Sequence, residues 1–551
     1  MSAYGPQAGD VIRLGATRLR LRVPERVPDA GDEFHVGFAK TGRDGIGLAP
    51  VTTRESCDVV ITNAIVLDPV DGVRVASIGI RHGRISGIGR AGNPAVSDNV
   101  DVVVGSGTVV VDADGLIVTP GGIDTHVHAM APRVFESEIA SGVTTVLAQE
   151  AGPVWGVGIN SPWFLGVARD ALEAVPLNVG ILGRASSARR SALDEAADAH
   201  ICGFKVHEDT GATLMTIDTA LRVADDIDVQ VALHTDGLNE TLSVADTLAV
   251  LDGRVAHAFH VEGGGGGHAP DVLTLAGRDH VIASSTNPTL PYGINAAAET
   301  LDMVLFCHGL AADRESDIQI ARARIRESTM AAENRLHDLG VIPITSSDAL
   351  GMGRAGETWW RTFAMADAQG IQAADGDSAD PAAGDDNDRI LRYLAKITIN
   401  PALAHGLAHA VGRLAVGHRA DIVLWDPRSF AAKPQLVLVG GYPAWGATGD
   451  PNATIDGAEP LRLAEQFGAL GGAPRQLAAI ITNERAASLS PMDRPMIVTA
   501  GCRTIRSSAM VRHGVLGDVE VSADGGVVTW SGRPITCSPV TSTPLSRLHY
   551  W

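Results

Sequence analysis

Eight short apolar runs alternate with longer helix-like stretches between residues 121 and 405 of this 551-residue chain. This alternation is typical of repeated strand–helix units with parallel strands. Because eight such units close a barrel, the sequence predicts an α/β fold with a (β/α)8 TIM barrel over residues 121–405. The predicted strands are Gly122–His128, Val143–Ala148, Leu177–Leu182, Ile201–Val206, Val229–His234, Val255–His260, His280–Ser285 and Val341–Ser347. The predicted helices include Pro162–Val175, Ala188–His200, Leu214–Asp225 and Leu242–Leu251.

The rest of the chain is predicted to form further units on either side of this barrel. Residues 1–120 contain alternating apolar runs divided by glycine-rich turns, which is typical of β-strands. Residues 406–465 return to this pattern, and residues 466–551 begin with a helix-like region, Gln476–Ala487, before ending in short strands. A chain of 551 residues is long enough for two or three domains, in agreement with this division.

The charge and composition exclude several classes of partner. The formal net charge is −20 at pH 7 and no basic stripe is present, so we expect no nucleic acid to bind. No apolar stretch reaches the roughly 20 residues that span a bilayer. The N-terminal segment lacks the basic and apolar regions of an export signal, which predicts a cytoplasmic protein without a membrane partner. The five cysteines are scattered without paired spacing, which indicates reduced thiols.

Polar residues stand at the ends of several predicted strands. In a TIM barrel these ends meet at one mouth, where functional groups lie. A single histidine at a strand end more often belongs to the packing, but imidazole and carboxylate groups gathered together are ligands for divalent metal ions. Six protein ligands exceed what one catalytic ion takes, so the residues predict two ions. The mouth residues are His126 and His128 on the first strand, Lys205 and His207 on the fourth, His234 on the fifth, His260 on the sixth and Asp348 on the eighth.

Lys205 is an unusual candidate ligand because a protonated ammonium group has no lone pair. Burial beside metal ions favours the neutral amine, and a neutral amine can add carbon dioxide. The resulting carbamate has two anionic oxygens that could bridge both ions. The alternative is an ordinary ion pair of Lys205 with Glu208 or Asp209 at the barrel rim.

Ten motifs in this chain resemble, in the same order, those of one family within the binuclear amidohydrolases. That family is the urease catalytic (alpha) subunit, and the resemblance covers nearly the whole chain. Collinear motifs of this number and length do not arise by chance. The motifs read YGPQAGDVIRL, GGIDTHVH, GFKVHEDTG, VALHTDGLNE, HAFHVEGGGGGHAPD, SSTNPTLPY, ITSSDALGMGRAGE, TINPALAHG, GRLAVGHRADIVLW and GCRTIRSSAMV.

The resemblance implies both the domain arrangement and the metal centre. The two β-rich stretches would form one discontinuous β-sandwich beside the barrel, and the C-terminal segment would serve assembly. Two Ni2+ ions would be bridged by N6-carboxylysine at Lys205. His126, His128 and Asp348 would complete the coordination of one ion, and His234 and His260 would complete that of the other. Zinc or manganese is not excluded, since imidazole, carboxylate and carbamate groups accept these ions as well.

The resemblance also implies the residues that act on the substrate. Residues 297–330 match a mobile flap, which carries His308 as the catalytic acid. Cys307 beside it is expected to position groups rather than to react, because a metal hydroxide already supplies the nucleophile. The assigned roles are His207 on the substrate oxygen, Arg324 and Asp209 in setting the protonation of His308, and Gly265 and Gly351 in substrate binding.

Departures from the family pattern leave the substrate open. The loop at 152–163 is shorter than in ureases, Thr210 stands where tryptophan is common, and Gly309 and the segment 349–351 also differ. Hydrolysis of urea to ammonia and carbamate is therefore weighed against hydrolysis of another small or cyclic amide, with zinc as the alternative metal. A scaffold subunit without metal is a third hypothesis, and the intact ligand set argues against it.

The resemblance further implies the partners of the chain. Its beginning already matches the alpha subunit, so separate small beta-type and gamma-type urease subunits are expected. The assembly would be a homotrimer or higher multimer of this heteromer. Accessory proteins that deliver metal are expected as further partners.

Overall fold

The structure is a computed structural model that describes residues 6, 9–24, 34–36, 40–151, 161–234, 243–264, 271–374, 384–446, 461–462 and 474–545. Its strands are β1 (Val11–Arg13), β2 (Arg20–Arg22), β3 (Val59–Asp68), β4 (Gly72–Arg81), β5 (Arg84–Gly89), β6 (Ala91–Gly92), β7 (Val102–Val103), β8 (Val109–Asp112), β9 (Ile117–Pro120), β10 (Gly122–Ala129), β11 (Val143–Ala151), β12 (Asn178–Arg184), β13 (Gly203–Val206), β14 (Gln230–Leu233), β15 (Ala256–Ala258), β16 (Val281–Thr286), β17 (Ile344–Ser346), β18 (Ile422–Trp425), β19 (Leu436–Val439), β20 (Tyr442–Gly446), β21 (Leu461–Arg462), β22 (Ile480–Thr482), β23 (Met496–Val498), β24 (Val519–Val521), β25 (Val528–Trp530) and β26 (Arg533–Pro534). Its α-helices are α1 (Arg133–Ala140), α2 (Pro162–Ala171), α3 (Arg190–Ala197), α4 (Leu214–Ile227), α5 (Val244–Leu251), α6 (Ala296–Cys307), α7 (Glu315–Arg324), α8 (Glu327–Leu339), α9 (Thr358–Ala374), α10 (Asn387–Ile397), α11 (Ile399–Ala404), α12 (Pro474–Leu477) and α13 (Glu484–Leu489).

Strands β10 to β17 form the barrel, each pairing in parallel with the next. Each corresponds to one of the eight predicted strands, and these strands are buried because helices cover parallel sheets. The barrel closes through a bridge between Val127 of β10 and Ala349, which follows β17. There the His128 N–H donates to the Ala349 carbonyl at 2.9 Å. The predicted α/β barrel is confirmed.

A separate sheet lies beside the barrel and is built from two distant parts of the chain. Strands β3, β4, β5, β8 and β9 come before the barrel, and β18 to β21 come after it. The two parts join where β9 pairs antiparallel with β18, from Ile117 opposite Trp425 to Pro120 opposite Ile422. One face of the sheet buries a cluster of aliphatic side chains that includes Ile61. The two β-rich stretches of the sequence therefore form one sheet.

The C-terminal region differs from its sequence prediction. The helix-like region Gln476–Ala487 was expected to be continuous, but α12 ends at Leu477, and β22 separates it from α13. β22 pairs in parallel with β12 and with β23, so Ile480 lies opposite Val179 of the barrel sheet. Its β-branched residues favour a strand, and this tertiary pairing overrides the local helical tendency. The helix prediction was wrong for this reason.

Helices α6 and α7 lie within the predicted flap, between β16 and β17. Their apolar side chains pack with Met352, which follows Asp348 in the loop after β17, and with one another; Val304 and Ala321 are fully buried there. The flap is therefore closed over the C-terminal ends of the barrel strands. No helix in the described part of the chain combines the length and hydropathy that a bilayer crossing requires.

Candidate active site

One group of side chains at the barrel mouth has the spacing of metal ligands. His126 Nε2 lies 3.1 Å from Asp348 Oδ1, and His128 Nε2 lies 3.2 Å from the same oxygen. The three ligand atoms are all within 4.8 Å of one another. Ligands that each sit about 2.1 Å from one ion are necessarily a few ångströms apart. These residues could therefore hold a divalent ion with little rearrangement.

The backbone at the mouth adopts conformations that ordinary residues rarely use. Asp348 has φ +57°, and His260 has φ +34°. Residues other than glycine avoid this left-handed region for steric reasons, and such strain clusters at functional sites. It occurs here at two of the predicted ligands, in the segments that follow β15 and β17.

Asp124 accepts hydrogen bonds from the segments that carry two of these ligands, His126 and Asp348. Its carboxylate accepts hydrogen bonds from the His126 N–H at 3.0 Å, the Ser347 N–H at 3.2 Å and the Thr358 hydroxyl at 3.3 Å. The first two bonds join β10 to the residue that precedes Asp348. Burial raises the pKa of Asp124 to about 6, although the hydrogen bonds oppose this shift. Asp124 therefore fixes the spacing between the first and last strands of the barrel.

Three further histidines form a continuous group of rings beside the first. The ring centroids of His207 and His234 are 3.7 Å apart, and those of His234 and His260 are 4.5 Å apart. His126 connects the two groups, since its ring lies 5.6 Å from that of His260. Burial lowers the pKa of His126, His207 and His234 well below the usual value, and that of His260 to about 4. The rings are therefore neutral at pH 7 and offer lone pairs.

Lys205 lies inside the barrel and is completely buried. Its Nζ is 3.8 Å from the ring centroid of Phe259, and the same ring stacks on His126 at 4.1 Å. In the sheet, Lys205 pairs with Arg184 of β12 and Ala232 of β14. The Lys205 amine and the His126 ring therefore both contact the Phe259 ring inside the barrel.

The closed flap places His308 and Arg324 against the barrel mouth. Arg324 Nη1 donates to His308 Nε2 at 3.1 Å, and Arg324 Nη2 donates to the two carboxylate oxygens of Glu208 at 3.0 and 3.3 Å. Burial and then the Arg324 charge lower the pKa of His308, while Glu208 and Asp209 oppose this shift. Because an arginine N–H only donates, Nε2 of His308 accepts, and the proton of the neutral ring is on Nδ1.

Asp209, which was predicted to act with Arg324, occupies a different position. Its side chain is 53% exposed, with one carboxylate oxygen 3.8 Å from His207 Nδ1. Its backbone N–H donates to the same Nδ1 at 3.1 Å. Burial and the Glu208 charge raise the pKa of Asp209. Arg324 thus bonds to Glu208, while Asp209 acts on His308 only through space.

The flap also contacts the loop that follows Asp348. The Cys307 thiol donates to the Gly351 carbonyl at 3.1 Å. A Cβ atom on Gly351 would collide with Asp348 Oδ1 and would lie 2.8 Å from His128 Nε2. Burial raises the pKa of Cys307 to about 11, so the thiol is protonated at neutral pH and is a poor nucleophile. Glycine at 351 therefore brings this loop close to the ligand group.

Sequence comparisons agree with this arrangement. The model of the amidohydrolase family matches residues 117–469, and the model of the urease alpha-subunit N-terminal domain matches residues 1–111. Urease subunit alpha 2 of Streptomyces coelicolor is 54% identical over 555 residues, which cover 100% of this chain and 98% of the relative. The chain belongs to the urease alpha-subunit family.

Other members of the urease alpha-subunit family match over the same length. Urease subunit alpha 1 of Streptomyces avermitilis is 54% identical, with 100% of this chain and 99% of the relative covered. Urease subunit alpha of Yersinia pestis is 42% identical, with 100% and 98% covered. Among solved structures, an L-hydantoinase from Arthrobacter aurescens has 15% identity and a TM-score of 0.48, covering 70% of this chain and 96% of that chain. The family resemblance of the motifs is confirmed, and the chain is a urease-type amidohydrolase.

The structure gathers most of the residues predicted for a urease alpha-subunit site at one mouth. Gly265 lies outside the described residues, so its predicted role in substrate binding has no structural counterpart here. From the sequence, two supporting residues, Asp124 and Phe259, were not singled out, and Glu208 was named only as an alternative ion-pair partner of Lys205. Asp124 shares a strand face with His126 and His128, which is a signal that i, i+2 spacing could have supplied. Burial of Glu208 and stacking on Phe259 depend on tertiary contacts and had no such signal.

Proposed function

We propose that this chain is the catalytic subunit of a urease that hydrolyses urea to ammonia and carbamate at a dinuclear nickel centre. The observation that carries the proposal is the group formed by His126, His128 and Asp348, in a chain 54% identical along its whole length to a urease subunit alpha. Neutral imidazoles, a carboxylate and a buried amine are a donor set that suits borderline divalent ions. The residues present therefore fit the proposed metal centre.

In this proposal the ligands divide between two ions. His126, His128 and Asp348 would hold one, and His234 and His260 the other, with carbamylated Lys205 bridging both. When bound, the ions would supply a hydroxide nucleophile at neutral pH and polarise the carbonyl group of the substrate. The protein contributes neutral ligands, a buried amine and a flap that packs against the mouth.

His207 would hold the carbonyl oxygen of urea. Its Nδ1 accepts the backbone N–H of Asp209, so the proton of the neutral ring is on Nε2. Burial lowers the pKa of this ring well below its usual value, so it is neutral at the working pH. The remaining Nε2–H can therefore donate to the substrate oxygen without bringing a full positive charge to the site.

His308 would protonate the substrate nitrogen, which then leaves as ammonia. The acid form of the ring is the imidazolium ion, in which Nε2 also carries a proton and no longer accepts from Arg324. The low pKa of His308 makes the imidazolium a stronger acid but a less populated one. The rate should therefore fall as the pH rises above this pKa.

Replacing Arg324 tests this role of His308. In Arg324→Gln the positive charge that lowers the His308 pKa is lost, so the pKa should rise and the imidazolium ion should persist to higher pH. The alkaline limb of the kcat–pH profile should move upward, by about one pH unit if the lost charge contributes roughly 1.4 kcal/mol. An unchanged limb, measured by ammonia release from urea, would show that His308 is not the titrating acid.

The function itself is tested by metal analysis and substrate comparison. Chain produced with its beta-type and gamma-type subunits and metal-delivery proteins should contain nickel and release ammonia from urea. Gly351 and Thr210 depart from the family pattern at the mouth, which favours another small or cyclic amide as the second candidate, with zinc as the alternative metal. Hydrolysis of such an amide without activity on urea would overturn the proposed substrate.

The partners follow from the proposed function. Relatives carry the name urease subunit alpha, which implies other urease subunits in their assemblies. We propose separate small beta-type and gamma-type subunits for this chain, in a homotrimeric or higher assembly, with accessory proteins that load the metal. Size measurement of the co-produced subunits distinguishes this assembly from an isolated chain.

A further inference from the structure

Glu208 lies between the flap and the candidate metal centre and contacts both. Its side chain is only 1% exposed. On one side the carboxylate accepts two hydrogen bonds from Arg324 at the end of α7. On the other side its Oε1 lies 3.1 Å from Nε2 of His234. A single buried carboxylate thus joins α7 of the predicted flap to a predicted ligand.

The contact with His234 determines which ring nitrogen is available. A carboxylate oxygen close to Nε2 favours a proton on that nitrogen, so Nδ1 keeps its lone pair. The ring is also held between those of His207 and His260, with centroids at 3.7 and 4.5 Å. Carboxylates that orient metal-binding histidines in this way are a recurring means of fixing ligand geometry. Glu208 therefore favours the tautomer of His234 in which Nδ1 can act as a ligand.

The contact with Arg324 is the main polar link between α7 and the barrel mouth. Among the described residues, the flap is also held by apolar packing around Met352 and by polar contacts of α6, where Cys307 donates to Gly351 and Glu299 accepts from Arg354. A bidentate arginine–carboxylate pair is stronger than a neutral hydrogen bond and more directional than apolar packing. Loss of the Glu208 charge should therefore release α7 more than loss of any exposed residue of that helix.

We propose that Glu208 is a positioning residue that holds the flap closed through Arg324 and, with the same carboxylate, orients His234 for metal binding. This inference rests on the proposed function for the identity of His234 as a ligand. It adds that closure of the flap and the geometry of one ligand depend on a single side chain. Glu208, rather than the neighbouring Asp209, has this role because only Glu208 is buried between the two partners.

The test uses the metal-free, full-length chain and two readouts that do not require activity. The first is the rate at which iodoacetamide alkylates Cys307, whose thiol is partly buried and donates to the Gly351 carbonyl. The second is the affinity for Ni2+ in the presence of bicarbonate, measured by competition with a chelating dye. In Glu208→Gln, alkylation should be about tenfold faster, because a charged hydrogen bond is lost. Ni2+ affinity should fall roughly tenfold to a hundredfold.

Two further variants separate the possible outcomes. Glu315→Gln makes the same chemical change on an exposed residue of α7 whose side chain bonds only Gln319 in the described structure, so neither readout should change. Arg324→Gln should speed alkylation without changing Ni2+ affinity, which keeps the proposal testable if Glu208→Gln does not fold. A change in only one readout for Glu208→Gln, or in neither, would overturn the proposal. A weaker Ni2+ affinity in Arg324→Gln would also overturn it, because flap opening alone would then explain the effect.

These outcomes are independent of the substrate. If the wild-type enzyme failed to hydrolyse urea, the proposed function would fail, but the alkylation and Ni2+ measurements would still decide the role of Glu208. If the wild-type enzyme hydrolysed urea and Glu208→Gln left both readouts unchanged, only the present inference would fail.

Discussion

Lys205→Met should abolish metal binding and lower the rate of urea hydrolysis by at least about a thousandfold, because water without a metal ion has a pKa near 15.7 rather than roughly 7. Lys205 is completely buried among the predicted ligands, and methionine fills a similar volume without an amine. The carbamate that would bridge the two ions therefore cannot form. Elemental analysis and ammonia release measure the two effects.

The chain offers a matched control for this substitution. Lys396 of α10 is also completely buried, but its Nζ donates to the Ile342 carbonyl at 2.6 Å, away from the ligand group. Lys396→Met should lower the free energy of unfolding by about 1–3 kcal/mol, because it leaves a buried acceptor unpaired, yet it should keep its metal. Small carboxylic acids should partly restore Lys205→Ala by supplying the missing bridge. Normal metal content and full activity in either Lys205 variant would refute the carbamate role.

His308→Ala should lower kcat by about a hundredfold to ten-thousandfold, which is the usual contribution of a positioned general acid. The side chain is held by Arg324 at the edge of the closed flap and contacts none of the three grouped ligands. Metal content should therefore be the same as in the wild type. Steady-state ammonia release and elemental analysis of the same preparation separate a catalytic loss from a loss of metal.

A neighbouring residue of the same helix controls for damage to the flap. Phe306 is 87% exposed, so Phe306→Ala removes a large side chain from α6 without removing a buried contact. Its kcat for urea should stay within about twofold of the wild type, as expected for exposed positions with small energetic effects. A His308→Ala enzyme as active as Phe306→Ala would contradict the assignment of His308 as the acid.

The barrel could be predicted because its signals are local. Each strand is a short apolar run, and strand ends are the places where polar residues such as His126, Lys205 and His260 interrupt the pattern. Parallel strands then bring these ends to one mouth whatever the details of the loops. The prediction of a helix over Gln476–Ala487 was wrong because the pairing of β22 with the barrel sheet is a tertiary contact that no local pattern contains.

The residues around the predicted substrate site also depend on tertiary contacts that the sequence does not contain. The sequence predicts that Gly351 binds substrate, but it does not show that a side chain at this position would collide with Asp348 and His128. Asp124 was not assigned at all, although it bonds to the segments that carry two ligands. Both facts depend on the register between β10 and the loop after β17, which is set by barrel closure rather than by either segment alone.

The sequence by itself determined the eight-unit barrel, the β-rich character of the two flanking stretches and the chemical types of the ligands, since these follow from periodicity and from residues at strand ends. Only the tertiary structure decided which carboxylate bonds to Arg324. Glu208 and Asp209 are adjacent in a one-turn 3-10 helix, where successive side chains diverge by roughly 120°. Glu208 is therefore buried against His234 and the flap, while Asp209 is half exposed. The contact that distinguishes them joins Arg324 to Glu208, 116 residues apart in the chain.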